Sequence, residues 1–212
     1  MHLNELIDMN YAQLVEHLLE KYGPAKYDYF NTHECKSKSS KLSRTKEGLF
    51  CHHIAENKEI LLSTPEVARQ HPFEYQQKHN LVYANYIEHL LLHIKIVKED
   101  IEGRGVGLGG VLMISSILND YYRHKKADGW KKYATDVIKD SYDEYITILR
   151  DFQDFVDETP NLGFLLPSPV LAQGWYGRVN RKVHKAIYDC YPDTNIQWSN
   201  SDVLKYLENE HK

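Results

Sequence analysis

The stretch "NLVYANYIEHLLLHIKIVKEDIEG", residues 80–103, decides how this chain is organised. Its opening "NLVY" (80–83) suits the start of a strand or an extended approach. From "NYIEHLLLH" onward the pattern is that of a helix ending near Gly103. His89 and His93 lie four apart on it. Residues at i and i+4 share one helix face, so both imidazoles can meet one ion. The plain alternative is a pair of ordinary, partly buried histidines among leucines.

Upstream, "GLFCHHIAENK" (48–58) reads as a short strand that ends in His52 and His53. Neighbouring residues on a strand point to opposite faces, so the two rings must face different partners unless the chain bends. A metal-assisted hydrolase has a use for that: one histidine joins the ion, while the other activates water and stays off it. Between the pair and Asn80, "STPEVARQ" (63–70) predicts a brief helix, with Thr64 as cap, Pro65 at the first helical position and Pro72 beyond its end.

The order strand, His-His pair, central Asn, helix with two histidines resembles the HNH nucleases, also called the ββα-metal or His-Me finger superfamily. The resemblance covers about residues 41–96. It implies that His52 is a metal ligand and His53 the general base. It implies Asn80 as the central asparagine that hydrogen-bonds the base, with His89 and His93 as the helix ligands. Family members often carry a cysteine pair of a structural zinc site before the helix histidines. Asn85 and Glu88 stand there in this chain, so no such knuckle is expected. The segment between His53 and Asn80 would be an insertion within the hairpin. One divalent metal ion is implied; three imidazoles suit Zn²⁺, Ni²⁺, Co²⁺ or Mn²⁺ better than Mg²⁺. Arg44, just upstream, is either a phosphate clamp or a solvated loop arginine. Glu47 is either an acceptor orienting His52 or His53, or a surface residue.

The bulk composition is compatible with this. The chain has 212 residues, 42% of them hydrophobic, enough for one sizeable core or a small domain with a helical extension. Three scattered cysteines, Cys35, Cys51 and Cys190, fit a reducing cytoplasm and argue against a disulfide framework or a cysteine-rich zinc knuckle. No 18-residue apolar run exists, and the first residues do not read as a signal peptide, so we expect a cytoplasmic protein with no membrane partner. A bacterial or phage origin is expected on the resemblance alone.

The net charge of −4 gives no global support for nucleic-acid binding, but local charge does. The basic stretches are "KSKSSKLSRTK" (36–46), "RHKKADGWKK" (123–132) and "RVNRKVHK" (178–185). Candidate nucleic-acid contacts are Lys41, Arg44, Lys46, Arg178, Arg181 and Lys182. Each cluster taken singly reads equally as a solvated face.

"GRGVGLGG" (103–110) lacks the Gly-Lys-Ser/Thr of a phosphate loop and reads as a hinge. Helices are expected over "GVLMISSILNDYYRHKK", over one long stretch "WKKYATDVIKDSYDEYITILRDFQDFVDE" with an aromatic stripe, and in two later segments. The expected architecture is α+β, predominantly α, with a small ββα-metal module embedded in a helical protein. Its parts would be an N-terminal helical segment (1–40), the module (41–102) and a C-terminal helical region (103–212). The expected function is a metal-dependent endonuclease that hydrolyses DNA phosphodiesters, leaving a 5′-phosphate if it follows the family. The C-terminal helices would bind substrate, form a homodimer or contact a protein partner. The alternative is a non-catalytic nucleic-acid-binding or regulatory interaction protein that retains the metal site.

Overall fold

The computed structural model describes residues 3–100, 103–124 and 127–159. Two helices open the chain, α1 (Leu3–Asp8) and α2 (Tyr11–Tyr22). Strand β1 (Phe50–His53) pairs with β2 (Leu81–Ala84), and the short helix α3 (Pro65–Ala68) lies between them. Four further helices follow β2 among the described residues: α4 (Tyr86–Glu99), α5 (Leu108–His124), α6 (Trp130–Asp136) and α7 (Tyr142–Glu158). The protein is α+β and predominantly α, with one small two-stranded sheet among the described residues.

Helix α2 starts where Asn10 accepts from Gln13 N and Gln13 reaches back to Asn10 N. It stops at Gly23, whose φ of 75° a side chain would resist. Helix α4 starts the same way, with Asn85 as cap and Glu88 as the reciprocal acceptor. Glu88 does more than cap. It is buried, and it also accepts from Lys21 Nζ at 2.6 Å and from the Tyr22 hydroxyl at 2.8 Å. A buried carboxylate is tolerable only with its lone pairs filled, and these partners fasten α2 to the start of α4.

The sheet is antiparallel, with Phe50 opposite Ala84, Cys51 opposite Tyr83, His52 opposite Val82 and His53 opposite Leu81. Directly opposed residues share a face. Val82 and Ala84 belong to the main core with α2, α4, α5 and α7; Leu81 and Tyr83 belong to a second cluster with Ala25, Leu42 and Leu49. All four β2 residues are therefore buried, and His52 and His53 inherit opposite faces from the register.

The main core joins Leu14 of α2, Leu90 of α4, Leu118 of α5 and Leu149 of α7. It runs across both expected boundaries, near residues 40 and 102. Segment 103–110 is not a free hinge: Gly107 packs on α4, where an added Cβ would lie 2.8 Å from His93 O. The expected long helix over 130–158 is broken. Helix α6 ends at Asp136, and α7 begins after Ser141, across a polar turn that holds Lys139 and Asp140. The expected stripe divides accordingly. Tyr145, Leu149, Phe152 and Val156 are buried, whereas Tyr133 and Val137 are exposed. The later helical segments, and Cys190, lie outside the described residues.

Candidate metal centre

His52, at the α4-facing side of β1, meets His89 and His93 from successive turns of α4. One ring nitrogen from each lies within 4.8 Å of the others, so the three histidines could hold a metal ion. His52 Nδ1 is 3.2 Å from His89 Nε2. Four ligands at zinc–nitrogen bond lengths of 2.0–2.1 Å in a tetrahedron are about 3.3 Å apart, so this edge has coordination dimensions.

The tautomer of His52 follows from its other side. The Tyr11 hydroxyl is 2.9 Å from both Ile54 O and His52 Nε2. A carbonyl can only accept, so the single hydroxyl proton goes to Ile54, and the hydroxyl oxygen accepts from His52 Nε2–H. The Nδ1 lone pair then points at His89. That is how an imidazole is held for a metal. Burial holds Tyr11 far above the usual phenol range, so its proton stays on.

Burial disfavours the charged form of all three histidines. Burial first, and the neighbouring imidazoles second, depress the His52 and His89 pKa values well below the usual imidazole value. Burial also lowers His93, against the opposing pull of Glu56. A neutral imidazole presents the lone pair that a metal requires. Nδ1 of His93 is buried with no hydrogen-bond partner. An added Cβ on Gly110 of α5 would lie 2.3 Å from this ring. The glycine-rich stretch thus gives α5 close approach to a candidate ligand histidine.

His53 is buried on the other face of β1. Its Nε2 lies 2.8 Å from Gln76 Oε1, and the Gln76 amide nitrogen donates to Leu62 O at 3.2 Å. That second bond sets the amide orientation, so Gln76 Oε1 accepts from His53 Nε2–H. The open nitrogen of His53 is Nδ1, 3.5 Å from Glu56 Oε1. The 3₁₀ turn Ile54–Asn57 folds back directly after β1 and carries Glu56 under both histidines. Its Oε2 lies 3.5 Å from His52 Nδ1 and 3.5 Å from His93 Nε2.

The remaining expected residues fall elsewhere. The Asn80 side chain donates to Glu74 O at 2.8 Å, and the partner of His53 is Gln76 from the insertion. Arg44 lines the same cleft, but its guanidinium is committed: Nε and Nη2 grip Glu47 and Nη1 donates to Tyr22 O. Glu47 correspondingly faces Arg44, not the histidines. Lys41 is exposed, with its ammonium over the Tyr27 ring, and Lys46 is exposed. Arg178, Arg181 and Lys182 lie outside the described residues. Burial pushes the Cys51 thiol up to about 12, so it is a packed, protonated group and not a nucleophile.

A cleft of about 550 Å³ opens over the cluster. His53, Glu56, His89 and His93 line it, together with Lys38, Arg44, Leu61 and Met113. Sequence reasoning missed Tyr11, Glu56 and Gln76. Glu56 carried a local signal, three and four residues after the two histidines; Tyr11 and Gln76 carried none. No helix among the described residues is long and apolar enough to cross a membrane. No protein-family profile matches the chain, and no curated protein or solved structure does.

Proposed function

We propose that the protein is a metal-dependent endonuclease of the HNH type that hydrolyses DNA phosphodiester bonds. The observation that carries this reading is the convergence of His52, His89 and His93, with His53 on the opposite strand face but lining the same cleft as His89 and His93. A divalent ion bound by the three imidazoles would supply a positive centre for charge developing on the leaving oxygen.

The protein's own residues do the rest. Gln76 holds the proton of His53 on Nε2, which leaves Nδ1 as the proton acceptor. An imidazole nitrogen so placed can take a proton from an attacking water. The Tyr11 hydroxyl holds the His52 ring with Nδ1 inward. Lys38 adds positive charge on the cleft wall, where a phosphate backbone would pass. We further propose that the substrate is DNA, that the ion is a borderline transition metal such as Zn²⁺, Ni²⁺, Co²⁺ or Mn²⁺, and that the protein works in the cytoplasm of a bacterium or phage-infected host.

The test is plasmid nicking across Mg²⁺, Mn²⁺, Ni²⁺ and Zn²⁺, with wild type and His53→Ala side by side. We expect nicking with at least one ion and a loss of about 10²–10⁴-fold in the variant, the usual contribution of a positioned base. Metal binding should survive in His53→Ala. A wild type that binds metal and DNA but nicks with none of these ions would overturn the enzyme in favour of the non-catalytic alternative.

A further inference from the structure

The metal-ligand reading rests on three imidazoles, and a carboxylate oxygen lies beside two of them. Glu56 Oε2 lies 3.5 Å from His52 Nδ1 and 3.5 Å from His93 Nε2, beside the 3.2 Å separation between His52 Nδ1 and His89 Nε2. These separations to Glu56 are too long for good hydrogen bonds. They are close to the edges of a polyhedron of ligands about 2 Å from a shared centre. Hydrogen-bond logic points the same way. The Tyr11 contact keeps the only proton of neutral His52 on Nε2, so Nδ1 has none to offer the carboxylate. A metal cation between the two would take up both lone pairs at once. The carboxylate is only 16% exposed, and no lysine or arginine among the described residues is paired with it.

We infer that Glu56 is the fourth protein ligand of the ion, making a three-histidine, one-carboxylate centre. The inference deepens the proposed metal site and depends on it. The second oxygen, Oε1, lies 3.5 Å from His53 Nδ1, so the same carboxylate spans the ion and the proposed base. Glu56 therefore fixes where the base stands relative to the ion. The 3₁₀ turn makes this possible: it folds tightly after His53 and returns the residue at i+4 to His52 and at i+3 to His53. A mixed nitrogen and oxygen donor set with one negative charge suits Zn²⁺, Co²⁺, Mn²⁺ or Fe²⁺.

The test measures binding, not cleavage. Zn²⁺ affinity is read by competition with a chromogenic chelator, and the ligand set by the visible spectrum of the Co²⁺-loaded protein. Loss of an outer-shell partner alone typically weakens binding by about 10–100-fold, so loss of a direct ligand in Glu56→Gln should cost about 100-fold or more. The Co²⁺ bands should also move. Circular dichroism of the ion-free variant checks folding. If Glu56→Gln fails to fold, Glu56→Asp keeps the charge but shortens the reach, and its Co²⁺ spectrum carries the same test. An affinity within about threefold of wild type, with an unchanged Co²⁺ spectrum, would overturn the assignment. Wild-type nicking is scored separately. A protein that binds metal through Glu56 but never nicks would sink the nuclease reading and leave this one standing; nicking with Glu56-independent binding would do the reverse.

Discussion

Tyr11 shows how far a single hydrogen bond reaches in this protein. Its hydroxyl sits between Ile54 O and His52 Nε2, and so decides which His52 nitrogen carries the proton. Tyr11→Phe keeps the ring in the core but leaves His52 Nε2 without its acceptor. We expect Zn²⁺ affinity to fall by about 10–100-fold, the usual cost of an outer-shell partner, in a chelator competition against wild type. Unchanged affinity would mean the tautomer is set by the ion alone. The histidines also predict a pH dependence. Burial lowers the folded-state pKa values of His52, His89 and His93, so the unfolded chain binds their protons first. The stability of the ion-free protein should be full above pH ~6.5, the unfolded value, and fall as the pH drops toward the lowered folded values. The slope is up to about 1.4 kcal/mol per pH unit for each fully buried histidine that stays neutral. Urea titrations of chelator-treated protein at pH 7.5, 6.5 and 5.5 measure it; a flat profile would mean the three rings are protonated alike in both states.

At the scale of elements, helix α5 is shaped by a side chain of α4. Gly109 and Gly110 are adjacent in the first turn of α5, and ordinary helix propensity favours alanine at both by roughly 1 kcal/mol. Their surroundings differ. An added Cβ at Gly109 meets nothing within 4 Å, while one at Gly110 would lie 2.3 Å from the His93 ring. Gly109→Ala should therefore raise the unfolding midpoint slightly. Gly110→Ala should lower it and weaken metal binding, because the ring must leave its place or α5 must lift from α4. Thermal melts of the two variants in parallel, with and without Zn²⁺, distinguish them. Equal effects would mean α5 does not pack as described. The insertion between β1 and β2 has a similar positional role: it delivers Gln76 to His53 and buries Leu62 completely.

At the scale of the whole molecule, the cluster joins segments that are distant along the chain. Tyr11, His52, His89 and Gly110 meet at one place, and the main core spans α2 to α7. An ion bound there ties these segments together in the native state only. Saturating Zn²⁺ or Co²⁺ should raise unfolding stability by about 2.7 kcal/mol at 100 times the dissociation constant, and a chelator should reverse it. A melting temperature indifferent to every transition metal would remove the metal centre, and with it the proposed chemistry.

Much of this was open to sequence reading, for a local reason. A strand that ends in His52-His53 and a helix with His89 and His93 are short-range patterns; helical period pairs His89 with His93, and the resemblance added His52 as the third candidate. The predominantly helical class followed likewise, because amphipathic runs are also local. What the tertiary structure alone decided were the partners. Asn80 stands in the expected order along the chain, yet Gln76 holds the His53 ring, because the insertion's fold chooses which amide faces the base. Arg44 was a reasonable clamp until Glu47 and Tyr22 O took its guanidinium. Residues 103–110 looked like a hinge because glycine is flexible when free. In the fold the same residues give close contact with His93 and Ile96, since glycine is also the smallest residue. The sequence by itself determined the period, the order and the donor types. Only tertiary packing determined which lone pairs face one another, because that depends on which faces of distant segments are buried together.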